Sequence, residues 1–111
     1  MITIEKLRDF GADVDEGIAR CMGKEEFYLM LVRKAVKDNR LETLELQLAD
    51  RDLASAFETA HALKGMTANL SLTPLTKPVS EMTELLRSRT DTDYSQMLAE
   101  AKHQLEKLRS L

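Results

Sequence analysis

The stretch Leu53-Ala54-Ser55-Ala56-Phe57-Glu58-Thr59-Ala60-His61-Ala62-Leu63-Lys64-Gly65-Met66-Thr67-Ala68-Asn69-Leu70 decides the fold. Leu53, Ala56, Phe57, Ala60, Leu63, Thr67 and Leu70 recur every three or four residues, the spacing of one apolar helix face. Asp52 stands where a side-chain oxygen caps the first turn. The helix is expected to end near Ser71-Leu72. Thr73-Pro74 then reads as an N-cap followed by proline at the first helical position, where its missing N–H costs nothing. Leu75, Val79, Met82 and Leu86 carry the next stripe, with Pro78 expected to kink it or delay its regular start.

Working outward, Tyr28, Leu31, Val32 and Ala35 mark a helix from Glu25 to Asp38, widened by Phe27 and Val36. Asp38-Asn39 interrupts or bends it, and Leu41, Leu44 and Leu48 continue a stripe to Ala49. At the other end, Asp91 or Asp93 caps a last helix striped by Tyr94, Leu98, Ala101, Leu105 and Leu108. Two short helices precede Glu25, one closed by Gly11 and one by Gly23. The pattern predicts an all-α chain: an antiparallel four-helix bundle with additional short N-terminal helices. A single domain over 1–111 is expected, with the bundle core at about 25–110 and the short segments in 1–24.

Composition narrows the function. At 111 residues, with 43% hydrophobic and 5% aromatic residues and no Trp, the chain has length for one aliphatic core and none for a nucleotide-binding module. The net charge of -3 argues against a coat for nucleic acid or anionic lipid. A lone Cys21 excludes an internal disulfide framework and fits a reducing cytoplasm. Neither a signal peptide nor a membrane span is expected from the charged N-terminal segment. A monomer is expected, since no long exposed seam calls for a partner copy.

One constellation carries chemistry. At roughly 100° per residue, His61 stands about 110° from the core direction of its helix, at the shoulder. Gly65 lies beside it one turn on, and Lys64 lies between this flank and the core. A neutral imidazole is a competent nucleophile near neutral pH. A phosphoryl group on it would need a cation, which Lys64 supplies. A helix-interior glycine costs roughly 1 kcal/mol against alanine, so one of only four glycines placed here needs a reason. Steric clearance for an approaching partner is the simplest.

The run Ala60-His61-Ala62-Leu63-Lys64-Gly65, followed by Thr67 and Ala68, resembles the His-x-Leu-Lys-Gly motif of histidine-containing phosphotransfer (HPt) domains. The resemblance spans Glu25 to Leu111 and includes the short hairpin Ser71-Leu72-Thr73-Pro74. It implies a phosphorelay intermediate: His61 accepts a phosphoryl group from a receiver-domain aspartate and passes it to another receiver. Lys64 would stabilise the phosphate and Gly65 give clearance. Glu58, Ala62, Ala68, Asn69 and Leu72 would form the docking surface. The implied partners are response-regulator receivers and a hybrid histidine kinase. No cofactor is expected on this chain, Mg²⁺ belonging to the receiver, and neither is kinase activity. Two departures stand out: Ser71 occupies a position commonly Gly in the family, and Pro78 is not a family requirement.

Two other readings compete. Glu58-x-x-His61 and Glu100-x-x-His103 match a spacing used by di-iron bundles. Glu58 and His103 point away from their core stripes, however, so no metal site is expected. A helical adaptor that binds a receiver or another protein without chemistry is the alternative function. His103 and Cys21 read as an ordinary surface residue and an ordinary core residue, and the six Met as gap-fillers. Met1 and the lack of linker-like ends suggest a stand-alone carrier.

Overall fold

A computed structural model describes residues 1–111 and contains seven helices and no strands. They are α1 (Ile4–Phe10), α2 (Val14–Arg20), α3 (Glu25–Val36), α4 (Arg40–Ala49), α5 (Leu53–Asn69), α6 (Thr73–Arg87) and α7 (Ser95–Arg109). Helix α5 packs between α4 and α6, and α7 lies on α6 and closes back onto α4. The bundle is formed by α4–α7; α3, expected inside a bundle core starting at about 25, instead packs with α2 and α7 at one end, beside α1.

Three of the helix starts follow from short polar side chains. Thr3, Asp13 and Asp52 each accept a backbone N–H from the first turn, the Asp52 bond coming from Ser55 at 3.2 Å. Asp93 Oδ1 accepts from the Ser95 N–H at 2.9 Å, whereas Asp91 pairs with Arg51. Neither expected candidate is the N-cap of the last helix, which is Tyr94; Asp93, just before it, bonds the first helical N–H. The ends are less orthodox. Arg51, Ser71 and Arg89 all have φ between 52° and 56°, left-handed values that favour glycine. Beyond each, one N–H reaches back across the turn: Asp52 to Gln47 O, Leu72 to Thr67 O and Thr90 to Leu85 O. Three helices of the bundle thus end in the same motif without glycine.

The expectation at Thr73 is corrected by one residue. Leu72 is the N-cap, its carbonyl accepting from Leu75 and Thr76, and Thr73 already belongs to the helix. Pro74 therefore sits at the second position, still free of an intrahelical donor requirement. Pro78 is buried inside α6 and the helix runs on to Arg87, so it neither ends the helix nor delays its start. Side chains packed on both sides of Val79 and Met82, which are fully buried, outweigh the lost hydrogen bond.

The core is aliphatic, as composition requires: Leu44, Ala56, Ala60, Leu72, Val79, Met82, Leu86, Ala101 and Leu108 have no exposed surface. The N-terminal helices cover the end of the bundle where α5 stops. Three carbonyls at this end accept a donor from this segment. Asp13 N–H reaches Ser71 O at 2.9 Å, the Tyr28 hydroxyl reaches Leu70 O at 2.8 Å, and Arg20 reaches Ala68 O. Glu16 ties the arrangement together, pairing with Arg20 at 2.6 Å and accepting from Ser71 Oγ at 3.2 Å. This last bond compensates Ser71 for its left-handed backbone.

Candidate functional site

Helix α5 is the longest in the chain, and its outward face carries Glu58, His61, Ala62, Gly65 and Asn69, all exposed. Rigidity at this face comes from the opposite one, where Ala56, Ala60, Leu63 and Thr67 are buried against α4 and α6. A side chain near the middle of such a helix is held far more closely than one on a loop.

His61 leans toward α6. Its ring stacks on Phe57, one turn earlier, with centroids 5.6 Å apart and planes 23° from parallel. The guanidinium carbons of Arg87 and Arg89 each lie 5.1 Å from the centre of the same Phe57 ring. Arg89 is held there by its own helix end, donating to Leu86 O at 2.8 Å. Arg87 donates through Nε to Glu84 Oε2 at 3.3 Å, and Lys64 Nζ lies 3.7 Å from that same oxygen. The contacts thus run in a chain from His61 through Phe57, Arg87 and Glu84 to Lys64, joining α5 to α6 beside the acceptor.

Gly65 faces open space: a Cβ built on it meets nothing within 4 Å. No internal packing requires glycine there. The helix accepts the cost of a glycine to leave bare backbone next to an exposed imidazole.

The remaining expected residues divide. Glu58, Ala62 and Asn69 lie on the exposed face with His61. Ala68 is half-buried and its carbonyl is occupied by Arg20, so it marks the edge of that face. Leu72 does not belong to it. Its side chain is fully buried, because the left-handed turn at Ser71 rotates the chain and drives Leu72 into the core as the cap of α6. A continuous helical angle, carried past the end of α5, misplaced it. Phe57, Glu84, Arg87 and Arg89 were not singled out by sequence as site residues. Phe57 carried a signal, being four residues before His61 on one helix face. The others belong to α6 and its end, and only the pairing of helices brings them near.

Glu58, His61, Glu100 and His103 are exposed, and no three His, Cys, Asp or Glu side chains come together anywhere in the chain. His103 borders a shallow groove on α7 with Asp9, Glu106 and Lys107. Cys21 is buried. No helix is long and apolar enough to cross a membrane.

A family model for the Hpt domain matches residues 37–111, more than half of the chain and all four helices of the bundle. Helices α1–α3 lie ahead of the match. No curated protein and no solved structure matches the chain.

Proposed function

The chain belongs to the Hpt domain family, whose members carry phosphoryl groups in two-component signalling without kinase activity, and on that premise we propose that His61 is the phosphoacceptor of a phosphorelay. The observation that carries the reading is the exposed imidazole in the middle of α5, flanked by Lys64 on one side and by side-chain-free backbone at Gly65 on the other. An imidazole nitrogen attacks the phosphorus of a receiver's aspartyl phosphate. The P–N bond forms as the P–O bond to the aspartate breaks, and the carboxylate leaves. The same exchange in reverse delivers the group to the aspartate of a second receiver.

In this reading the chain contributes position and one cation, and the receiver brings Mg²⁺ and the rest of the charge stabilisation. Lys64 balances the phosphate, while Glu58, Ala62 and Asn69 form the exposed rim that a receiver covers. A hybrid histidine kinase upstream, a cytoplasmic location, a monomeric state and one domain over 1–111 complete the proposal.

The test is transfer from phosphorylated receiver domains. Wild-type protein is expected to gain acid-labile, alkali-stable phosphate, and His61→Gln to gain none while keeping its helical content. Receivers that bind the wild type without ever transferring phosphate would leave an adaptor in place of a carrier.

A further inference from the structure

The ion pairs beside His61 show a feature that phosphate acceptance alone does not require. The cation expected to balance a phosphoryl group is already engaged: Lys64 Nζ lies 3.7 Å from Glu84 Oε2. Arg87, the only other cation joined to the His61 stack and also bonded to a carboxylate there, spends its Nε on that same oxygen at 3.3 Å. One carboxylate on α6 thus holds two cations near the acceptor helix: Lys64, one turn after His61 on α5, and Arg87, which lies over the Phe57 ring on which His61 stacks.

We infer that Glu84 is a competing carboxylate that sets how strongly the chain holds a phosphoryl group on His61. The inference rests on His61 being the acceptor. Both pairs are solvent-exposed, with side chains one-third to more than one-half accessible, so each is weak and readily exchanged. A phosphoryl dianion on His61 draws Lys64 and Arg87 from Glu84, and Glu84, left without partners, repels the dianion. The carboxylate therefore weakens the phosphorylated state relative to the free imidazole. A carrier benefits from that opposition: a group held too firmly is not passed on. Glu81, one turn earlier on α6, is exposed and forms no ion pair, which makes it the matched control.

The experiment uses the whole 111-residue chain carrying His103→Gln, so that His61 is the one histidine left. Phosphoramidate serves as donor: its P–N bond breaks, ammonia leaves with a proton, and the phosphoryl group joins the imidazole nitrogen. The phosphorus resonance is then titrated with pH. For Glu84→Gln the second ionisation of the phosphoryl group is expected to fall by about half a unit, the size of one screened charge several ångströms away. Glu81→Gln is expected to give a much smaller shift. In exchange with a phosphorylated receiver, Glu84→Gln is expected to raise the equilibrium constant for acceptance about tenfold, since the dianion places two such charges on a neutral imidazole. An unshifted titration in Glu84→Gln, or an equal shift in Glu81→Gln, overturns the role of Glu84 and leaves the carrier reading standing. A protein that takes phosphate from phosphoramidate but from no receiver overturns the carrier reading, and this inference with it.

Discussion

Gly17 in α2 and Gly65 in α5 are both helical glycines, yet they answer to opposite demands. A Cβ at Gly17 would stand 2.9 Å from Cζ of Tyr28 and closer still to Cε1, in a contact where Tyr28 is fully buried. A Cβ at Gly65 would touch nothing. The first glycine lets α2 and α3 approach each other, and so brings the Tyr28 hydroxyl to the Leu70 carbonyl at the end of α5. The second serves no neighbour within the chain. Since both cost the helix about the same, the open one needs an external reason, and the exposed imidazole of His61 beside it supplies one.

The comparison breaks if the two positions respond alike. Gly17→Ala is expected to have the largest effect on stability, lowering it by about 2 kcal/mol through overpacking against Tyr28. Thermal or denaturant unfolding measures it, and an unchanged midpoint would show that the α2–α3 contact yields freely. Gly65→Leu is expected to leave stability the same or slightly higher, since leucine favours helix and meets no neighbour. Phosphoryl transfer from a receiver is expected to fall about tenfold, equivalent to about 1.4 kcal/mol of lost docking. Unaltered transfer would remove the clearance role of Gly65.

A smaller effect sharpens the Gly17 side. Burial pushes the Tyr28 hydroxyl up to about 12, from an ordinary value near 10. The folded chain therefore binds this proton more tightly than the unfolded one. The resulting stability is fully present below pH 10 and is lost as the pH rises toward 12. Tyr28→Phe is expected to flatten that alkaline loss, at a cost of about 1 kcal/mol at neutral pH for the orphaned Leu70 carbonyl. Denaturant midpoints from pH 8 to pH 12 read both effects, and a wild-type midpoint constant across that range would contradict the assignment.

What could be read in the sequence was whatever a single helix determines. The apolar stripe of α5, the cap at Asp52 and the shoulder position of His61 depend only on spacing along one element. The helix ends were harder because Arg51, Ser71 and Arg89 adopt left-handed turns with side chains that do not advertise them. Leu72 was misplaced for that reason: the angle that held along α5 lost its meaning at Ser71. Glu84, Arg87 and Arg89 remained invisible because their relation to His61 is set by the packing of α6 on α5, which no one-dimensional pattern reports. The N-terminal helices were legible as elements, while their donation to Ala68, Leu70 and Ser71 was not.

The central claim is that surroundings, and not residue type, make His61 the acceptor. His61 and His103 are the two histidines of the chain, both exposed and both three residues after a glutamate. Both have a lysine within about one turn, and only His61 has the stacked ring and the open glycine. The most direct measurement is to phosphorylate wild type, His61→Gln and His103→Gln from one phosphorylated receiver and to locate the phosphate by peptide mapping under alkaline conditions. The account predicts a single phosphate on the peptide containing His61, present in His103→Gln and absent in His61→Gln. Phosphate on the His103 peptide, or equal labelling of the His61→Gln protein, would contradict it.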